Sequence, residues 1–191
     1  MEMQYYRTFI ALPVQVGADL LEIRKELMSA LEDERISWVD PKRFHVTLRF
    51  LGDTRISDVD KIARVLRDVR FPFNAIWVPV TGVGSFGPRK LPRVIWAGFG
   101  QEEWFVGLKK EVDGILEGFG FPKSDQPFTA HLTLGRIRSL KSLARYHDIL
   151  EGMKGRACEP VNFDRLVYYR SVLTSGGPEY SKLEEILFKS E

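Results

Sequence analysis

The segment PFTAHLTLGR, residues 127–136, places His131 and Thr133 two positions apart within an apolar stretch. Its alternation of polar and apolar residues is typical of a half-buried β-strand. Side chains two positions apart in a strand share a face, so His131 and Thr133 are predicted to lie on one face and Leu132 and Leu134 on the other. The leucines can then pack beneath helices, while the histidine and threonine face away from that core.

The same His-x-Thr-Leu pattern occurs 86 positions earlier, in KRFHVTLRFL (residues 42–51), where it contains His45 and Thr47. The same offset relates the apolar run Phe9–Ala11 to Ile95–Ala97. Two of the three histidines therefore carry a threonine at equivalent places of an internal repeat. Two copies predict a pair of pseudo-symmetric lobes, because a solenoid needs more copies of a shorter unit. Lobes of this kind commonly leave a ligand cleft between them.

Secondary-structure signals follow the same order in both halves. The first half predicts strands at 7–14 and 44–52, helices at 17–34 and 57–69 with Ser57 as N-cap, and an extended arm at 73–86. The second half predicts strands at 93–100, 128–138 and 161–173 and helices at 102–119 and 140–153. We expect an α+β fold of two lobes, each an antiparallel sheet with outer helices, around a central cleft. Neither half has enough residues for a good core, so 1–191 is predicted to be a single bilobal domain, with repeats at about 5–87 and 92–175 and a closing strand at 178–190.

Composition places the chain among ordinary soluble globular proteins. Its 191 residues are 44% hydrophobic and 28% charged, which argues against long disordered stretches. The single cysteine, Cys158, cannot form an internal disulfide, and the apolar run at the start is too short for a signal peptide or a membrane span. We therefore expect a cytoplasmic protein. The net charge of +2 permits an anionic substrate but is far from that of a dedicated nucleic-acid-binding tail.

Two histidines that flank one cleft suit the cleavage of a phosphodiester. Imidazole titrates near neutral pH, so one ring can accept a proton from the attacking water while the other donates a proton to the leaving oxygen. The hydroxyls of Thr47 and Thr133 can donate hydrogen bonds to phosphate oxygens. No carboxylate or cysteine stands at metal-ligand spacing from His45 or His131, so neither a metal nor another cofactor is expected.

These motifs resemble those of the 2H phosphoesterases, and more narrowly of the RNA 2′,3′-cyclic phosphodiesterases, long labelled 2′-5′ RNA ligases. The segments RTFIALPV, FGPRKLPRVIWAGF and YYRSVLTSGGPEY extend the likeness over nearly the whole chain. The resemblance implies hydrolysis of RNA 2′,3′-cyclic phosphate ends to 2′-phosphomonoesters, with reverse 2′-5′ ligation as a side activity. It implies that His45 is the general acid that protonates O3′ and that His131 is the general base. It also implies that Thr47, Thr133 and Arg136 bind the phosphate.

Two arginines compete for the phosphate. Arg136 matches the family position, but on a regular strand it has the wrong parity to share a face with His131, unless a bulge at Gly135 turns it. Arg49 has the right parity with His45, so regular geometry favours Arg49. Further basic residues that could follow an RNA backbone are Lys42, Arg43, Arg89, Lys90 and Arg138.

Other functions remain open at this point. The chain could be a 2H-type phosphodiesterase that acts on a small cyclic nucleotide or a 2′-5′ oligonucleotide. It could also be a non-catalytic RNA-binding module, or a pair of structural lobes without a ligand. The expected partner is RNA with a 2′,3′-cyclic phosphate end, with no membrane and no obligate protein partner.

Overall fold

The computed structural model describes residues 4–123 and 127–189. Within these residues the chain forms nine strands and four α-helices. The strands are β1 (Tyr5–Pro13), β2 (Arg35–Trp38), β3 (His45–Arg55), β4 (Ile76–Phe86), β5 (Val94–Phe99), β6 (His131–Ser139), β7 (Lys154–Phe163), β8 (Arg165–Thr174) and β9 (Gly177–Leu187). The helices are α1 (Ala18–Ala30), α2 (Ile56–Asp68), α3 (Glu102–Glu117) and α4 (Leu143–Met153).

The strands form two antiparallel sheets. One sheet has four strands in the order β3-β1-β8-β9, and the other has five in the order β2-β6-β5-β4-β7. Every pairing within these sheets is antiparallel. The motif strands β3 and β6 belong to different sheets and contact one another. The predicted α+β fold of two antiparallel sheets is therefore confirmed.

The sheets do not coincide with the two halves of the chain. Strand β4 comes from the first half but pairs with β5 and β7 of the second half. Strand β8 comes from the second half but pairs with β1 of the first. Each half thus gives its last repeated strand to the opposite sheet, and this exchange joins the two lobes. The exact repeat boundaries stay a prediction.

Helices cover the outer face of each sheet. Helix α2 contacts β1, β3, β9 and α3, while α3 also contacts β3. Helix α1 contacts β7 and α4, and α4 contacts β4 and β7. Helix α1 packs through the apolar face of its amphipathic pattern, on which Leu20, Ile23 and Leu27 are all buried. Within the described residues, no helix combines the length and the hydrophobicity needed to cross a membrane.

Some element boundaries differ from those predicted. Helix α2 begins at Ile56, directly after β3, so Ser57 lies inside the helix and the predicted N-cap is wrong. The main-chain N–H of Ile56 instead donates to the carbonyl of Gln4, 3.1 Å away. The predicted strand at 161–173 is divided at Asp164 between β7 and β8. Residue 190 of the predicted closing strand lies outside the described residues.

Candidate active site

A cleft of about 750 Å³ contains both His-x-Thr pairs. His45 and Thr47 reach it from β3, and His131 and Thr133 reach it from β6. The intervening apolar residues are buried on the opposite face, as the alternation predicts. Two equivalent strands of the repeat therefore present their polar faces to one shared space.

Both imidazoles are oriented by a main-chain carbonyl two residues earlier. The Nδ1 of His45 lies 2.7 Å from the carbonyl oxygen of Arg43, and the Nδ1 of His131 lies 2.8 Å from that of Thr129. A carbonyl oxygen only accepts hydrogen bonds, so each Nδ1 must carry the proton. This leaves Nε2 of each ring as the nitrogen available for chemistry.

Aromatic rings pack around both imidazoles. The ring of His45 lies 5.1 Å from that of Phe9 and meets Tyr180 edge-on at 5.4 Å. The ring of His131 meets Phe86 edge-on at 4.8 Å. These contacts restrain the rings and remove water from one side of each. Tyr180 is a residue that sequence reasoning missed, because it comes from β9 and has no spacing relation to His45.

The site lowers the pKa of both histidines below its ordinary value. For His45 the main cause is burial, partly opposed by the hydrogen bond to the Arg43 carbonyl, with further lowering by the charges of Arg136 and His131. For His131 burial again lowers the pKa most, the Thr129 carbonyl opposes it, and Arg136 lowers it further. Both rings are therefore more readily deprotonated than free imidazole.

A β-bulge brings Arg136 into the cleft. In the pairing with β5, Thr133 and Gly135 oppose consecutive residues, which leaves Leu134 as the extra residue. Leu134 and Gly135 are both buried, and the alternation then resumes with Arg136 exposed. The bulge shifts the alternation by one position and places Arg136 on the face of the His-x-Thr pair.

The space beside Gly135 explains why glycine stands at the bulge. A Cβ at this position would lie 2.9 Å from Cγ2 of Ile36 and 3.0 Å from the ring of Trp38. Both residues belong to β2, which covers this part of β6. A side chain at 135 would thus push against β2, the strand that pairs with β6 at the residue next to Arg136.

The guanidinium of Arg136 has no hydrogen bond or ion pair with any described residue of the protein. It nevertheless acts electrostatically on His45, His131 and Tyr180. An uncompensated cation beside two neutral imidazoles favours an anion between them.

An equivalent bulge in β3 has a different effect on Arg49. In the pairing with β1, Thr47 and Arg49 oppose consecutive residues, and Leu48 is the extra one. The Arg49 guanidinium lies 3.7 Å from the carboxylate of Asp113 on α3 and donates to the carbonyl of Pro122. Arg49 still lines one end of the cleft, but Asp113, which Lys109 also contacts, partly offsets its charge. Its role as a phosphate contact stays a prediction.

The cleft is strongly basic. Among the described residues that line it there is no aspartate or glutamate. The basic side chains that line it are Arg43, Arg49, Lys109, Arg136 and Arg138. Of the predicted RNA-backbone residues, Arg43 and Arg138 lie here, whereas Lys42, Arg89 and Lys90 do not.

Phe50 provides an exposed aromatic surface in the same cleft. Its side chain is 56% exposed, and its ring lies 5.5 Å from that of the buried Phe9.

Within the described part of the chain, no group of three or more histidine, cysteine, aspartate or glutamate side chains is placed to hold a metal ion.

The chain is similar to known phosphoesterases over almost its whole length. A family profile described as LigT-like phosphoesterase matches residues 10–96 and 100–180. The RNA 2′,3′-cyclic phosphodiesterase of Thermotoga maritima is 32% identical over 186 residues, which is 96% of each chain. The protein of the same name from Methanothermobacter thermautotrophicus is 26% identical over 180 residues, covering 93% of this chain and 96% of that one.

Solved structures show the same fold. The crystal structure of Escherichia coli LigT complexed with 3′-AMP matches with a TM-score of 0.70 at 19% identity, over 97% of this chain and 99% of that one. A structure from Thermus thermophilus matches with a TM-score of 0.69 at 23% identity and the same coverage. With both motifs in one cleft and a family match over most of its length, this chain belongs to the LigT-like 2H phosphoesterases.

Proposed function

We propose that this protein hydrolyses the 2′,3′-cyclic phosphate ends of RNA to 2′-phosphomonoesters, with His45 as general acid and His131 as general base. The observation that carries the proposal is the pair of imidazoles in one cleft, each with Nδ1 bonded to a carbonyl and Nε2 left for proton transfer. The names of the similar proteins, RNA 2′,3′-cyclic phosphodiesterases, support the choice of substrate.

The reaction needs one proton donor and one proton acceptor. Nε2 of neutral His131 accepts a proton from water while the water oxygen forms a bond to phosphorus. The bond between phosphorus and O3′ breaks, and Nε2–H of protonated His45 donates its proton to O3′. The products are a 2′-phosphate and a 3′-hydroxyl, and proton exchange with solvent restores both rings. Each proton transfer is worth about 10²–10⁴ in rate.

The transition state concentrates negative charge on the non-bridging phosphate oxygens. Arg136 is suited to stabilise that charge, because it has no partner among the described residues. The hydroxyls of Thr47 and Thr133 line the same cleft and can each donate a hydrogen bond. Donors placed before the reaction lower the barrier because they do not reorganise during the step.

The lining of the cleft favours RNA over a small cyclic nucleotide. Five basic side chains line the cleft, and Asp113 partly offsets only two of them, so the remaining positive charge attracts a chain of phosphates and not just a single anion. The exposed ring of Phe50 offers a surface on which a nucleobase can stack. A small cyclic nucleotide or a 2′-5′ oligonucleotide remains the second candidate, because either would fit the same acid and base.

Ligation follows from the same arrangement. If a 5′-hydroxyl takes the place of water, His131 accepts its proton and His45 again protonates O3′, which gives a 2′-5′ bond. The same two residues can run this reaction backwards. Water is present at far higher concentration than RNA ends, so we expect hydrolysis to dominate.

Product analysis tests the proposed function. An oligoribonucleotide with a 2′,3′-cyclic phosphate end is incubated with the protein and a chelator, and the phosphate isomer is identified. We expect a 2′-phosphate at a rate that the chelator does not change. A 3′-phosphate would reverse the proposed regiochemistry, and an unchanged substrate would contradict the enzymatic function.

A further inference from the structure

We propose that Arg138 binds the phosphodiester group on the 5′ side of the reacting nucleotide, so that the enzyme prefers oligonucleotides to a cyclic mononucleotide. This inference rests on the proposed function, because it extends the same site along the RNA chain. It names a residue outside the two motifs as the one that distinguishes a chain of nucleotides from a single one.

Strand β6 places the relevant side chains in one row. After the bulge at Leu134, Arg136 and Arg138 are both exposed while Ile137 between them is buried. Both arginines line the cleft that contains His131. Two residues of a strand span about 6.5 Å. One nucleotide of an extended strand can cover this step, so a phosphate held by His131 and Arg136 leaves its neighbour within reach of Arg138.

Ser37 of β2 fixes the direction of Arg138. Ser37 pairs with Arg136 across the two strands, so these two residues share a face. The Nε of Arg138 donates to Oγ of Ser37 over 3.2 Å. This bond uses one donor of the guanidinium and leaves its two terminal nitrogens for an anion.

Charge distinguishes Arg138 from the basic residues at the other end of the cleft. Arg49 and Lys109 share the buried carboxylate of Asp113, whose single negative charge offsets one of their two positive charges. Arg138 has only the neutral Ser37 as partner among the described residues. A second phosphate is therefore attracted more strongly to the β6 end of the cleft than to the end beside α3.

The test compares two substrates of different length and, in the longer one, a charged and a neutral internal linkage. One substrate is a cyclic mononucleotide, and the other is a ribodinucleotide with the same 2′,3′-cyclic phosphate end. A third probe replaces the internal phosphodiester of the dinucleotide, beside a 2′-O-methyl sugar, with a neutral methylphosphonate. We measure kcat/KM for the parent and for Arg138→Gln, and the Kd of the dinucleotide at two salt concentrations.

We expect Arg138→Gln to lower kcat/KM for the dinucleotide about tenfold and to leave the mononucleotide unchanged. The methylphosphonate should lower activity of the parent by a similar factor and that of the variant hardly at all. The salt dependence of binding should weaken by about 0.7 in the log–log slope, as for one phosphate of a single strand. Arg89→Gln, which removes an exposed arginine outside the cleft, is the matched control and should change none of these values.

An equal loss on both substrates, no loss on the dinucleotide, or the same loss in Arg89→Gln would overturn the inference. A parent protein that cleaves neither substrate contradicts the proposed function instead. In that case the dinucleotide Kd values still decide the role of Arg138, since binding does not require cleavage.

Discussion

His45 and His131 are held alike but enclosed differently. Each donates Nδ1–H to the carbonyl two residues earlier, so the repeat conserves the tautomer as well as the residue. His45 packs between Phe9 and Tyr180, whereas His131 meets only one ring, Phe86, among the described residues. The common feature fixes Nε2 as the reacting atom, and the differing surroundings allow the two rings to take different roles.

The pH dependence of kcat/KM follows from the lowered pKa of both imidazoles. Activity requires one ring protonated and the other neutral, so kcat/KM is highest between the two pKa values. Because burial and Arg136 hold both below 6.5, we expect the optimum of the parent to lie on the acid side of pH 6.5. Above it the acid loses its proton, and below it the base gains one.

Arg136→Gln should move this optimum to higher pH. Removing the cation removes one cause that lowers the pKa of both rings, so both values rise. The height of the profile should fall as well, because Arg136 also binds the phosphate in the proposed mechanism. A pH profile of kcat/KM for parent and variant, with Arg89→Gln as control, checks the shift. An optimum that stays in place or moves to lower pH would contradict this electrostatic account.

Phe50→Ala tests the proposed stacking surface. Stacking of a base on an aromatic side chain is worth about 1–3 kcal/mol, so we expect KM to rise by about 5- to 150-fold with a smaller change in kcat. Since the side chain is 56% exposed, thermal stability should change little. Steady-state kinetics with a cyclic-phosphate dinucleotide measure the effect. Phe50→Tyr, which keeps the ring, should behave like the parent, and an unchanged KM in Phe50→Ala would exclude stacking there.

Four residues of the site could be located from sequence because they lie within a repeated alternation. His45, Thr47, His131 and Thr133 lie on the cleft face as that alternation predicts. Arg138 could not be separated from Arg89, because lone basic residues carry no pattern that shows which of them meets the cleft.

At the scale of secondary-structure elements, the paired bulges affect how the two arginines meet the cleft: Arg136 has no ion pair among the described residues, whereas Arg49 is bonded to Asp113 and Pro122. Both motif strands have an extra residue at the last position of the motif, Leu48 in β3 and Leu134 in β6. Strand parity alone favours Arg49 as the arginine of the cleft, whereas in the structure both arginines line it and Arg49 is the one already held by an ion pair. A bulge is a property of the pairing between two strands, so only the glycine at 135 hinted at it in the sequence.

Gly135→Ala tests the bulge. The added methyl group would meet Ile36 and Trp38, and such overpacking costs about 1–3 kcal/mol. We also expect reduced activity, because β2 and Arg136 must shift to make room. Chemical denaturation and kcat/KM measure the two effects.

Gly114→Ala is the matched control, since a Cβ at this exposed position of α3 has no heavy atom within 4 Å. In a helix this change should stabilise the protein by about 0.5–1 kcal/mol. If Gly135→Ala were as well tolerated as Gly114→Ala, the proposed restraint of Arg136 by close packing would be wrong.

Helices and strands with a long apolar pattern could be predicted from the sequence. Strands that form only because a neighbouring strand pairs with them could not. Strand β2 has only four residues and exists because it pairs with β6. The part of β7 before residue 161, which contains Gly155 and Pro160, lacks a strand-like alternation and is ordered against β4. The residues of neither segment therefore indicate a strand by themselves.

At the scale of the whole molecule, the strand exchange makes the two lobes depend on each other. The four-stranded sheet needs β8 from the second half, and the five-stranded sheet needs β2 and β4 from the first. The repeat in the sequence indicated two similar units. Its offset of 86 residues does not show whether the units exchange strands, because the offset is the same in both cases. Only long-range pairing decides between these topologies.

The exchange predicts that the chain unfolds as one unit and that neither half folds alone. A fragment of residues 1–91 would leave β4 without β5 and β7, and β1 without β8. We expect an amide NMR spectrum of this fragment typical of an unfolded chain, and a single two-state transition in calorimetry of the full protein. A fragment with native-like dispersion, or two separate transitions, would show that the lobes are independent.

The central claim is that two imidazoles act as one unit on a single phosphorus. The most direct measurement is kcat/KM for a cyclic-phosphate oligonucleotide with His45→Ala, His131→Ala and the double variant, all checked for native folding. We predict that each single replacement lowers kcat/KM by about 10²–10⁴. The double variant should be only slightly less active than the less active of the two single variants. A single variant with parental activity, or a double loss equal to the product of the two single losses, would contradict it.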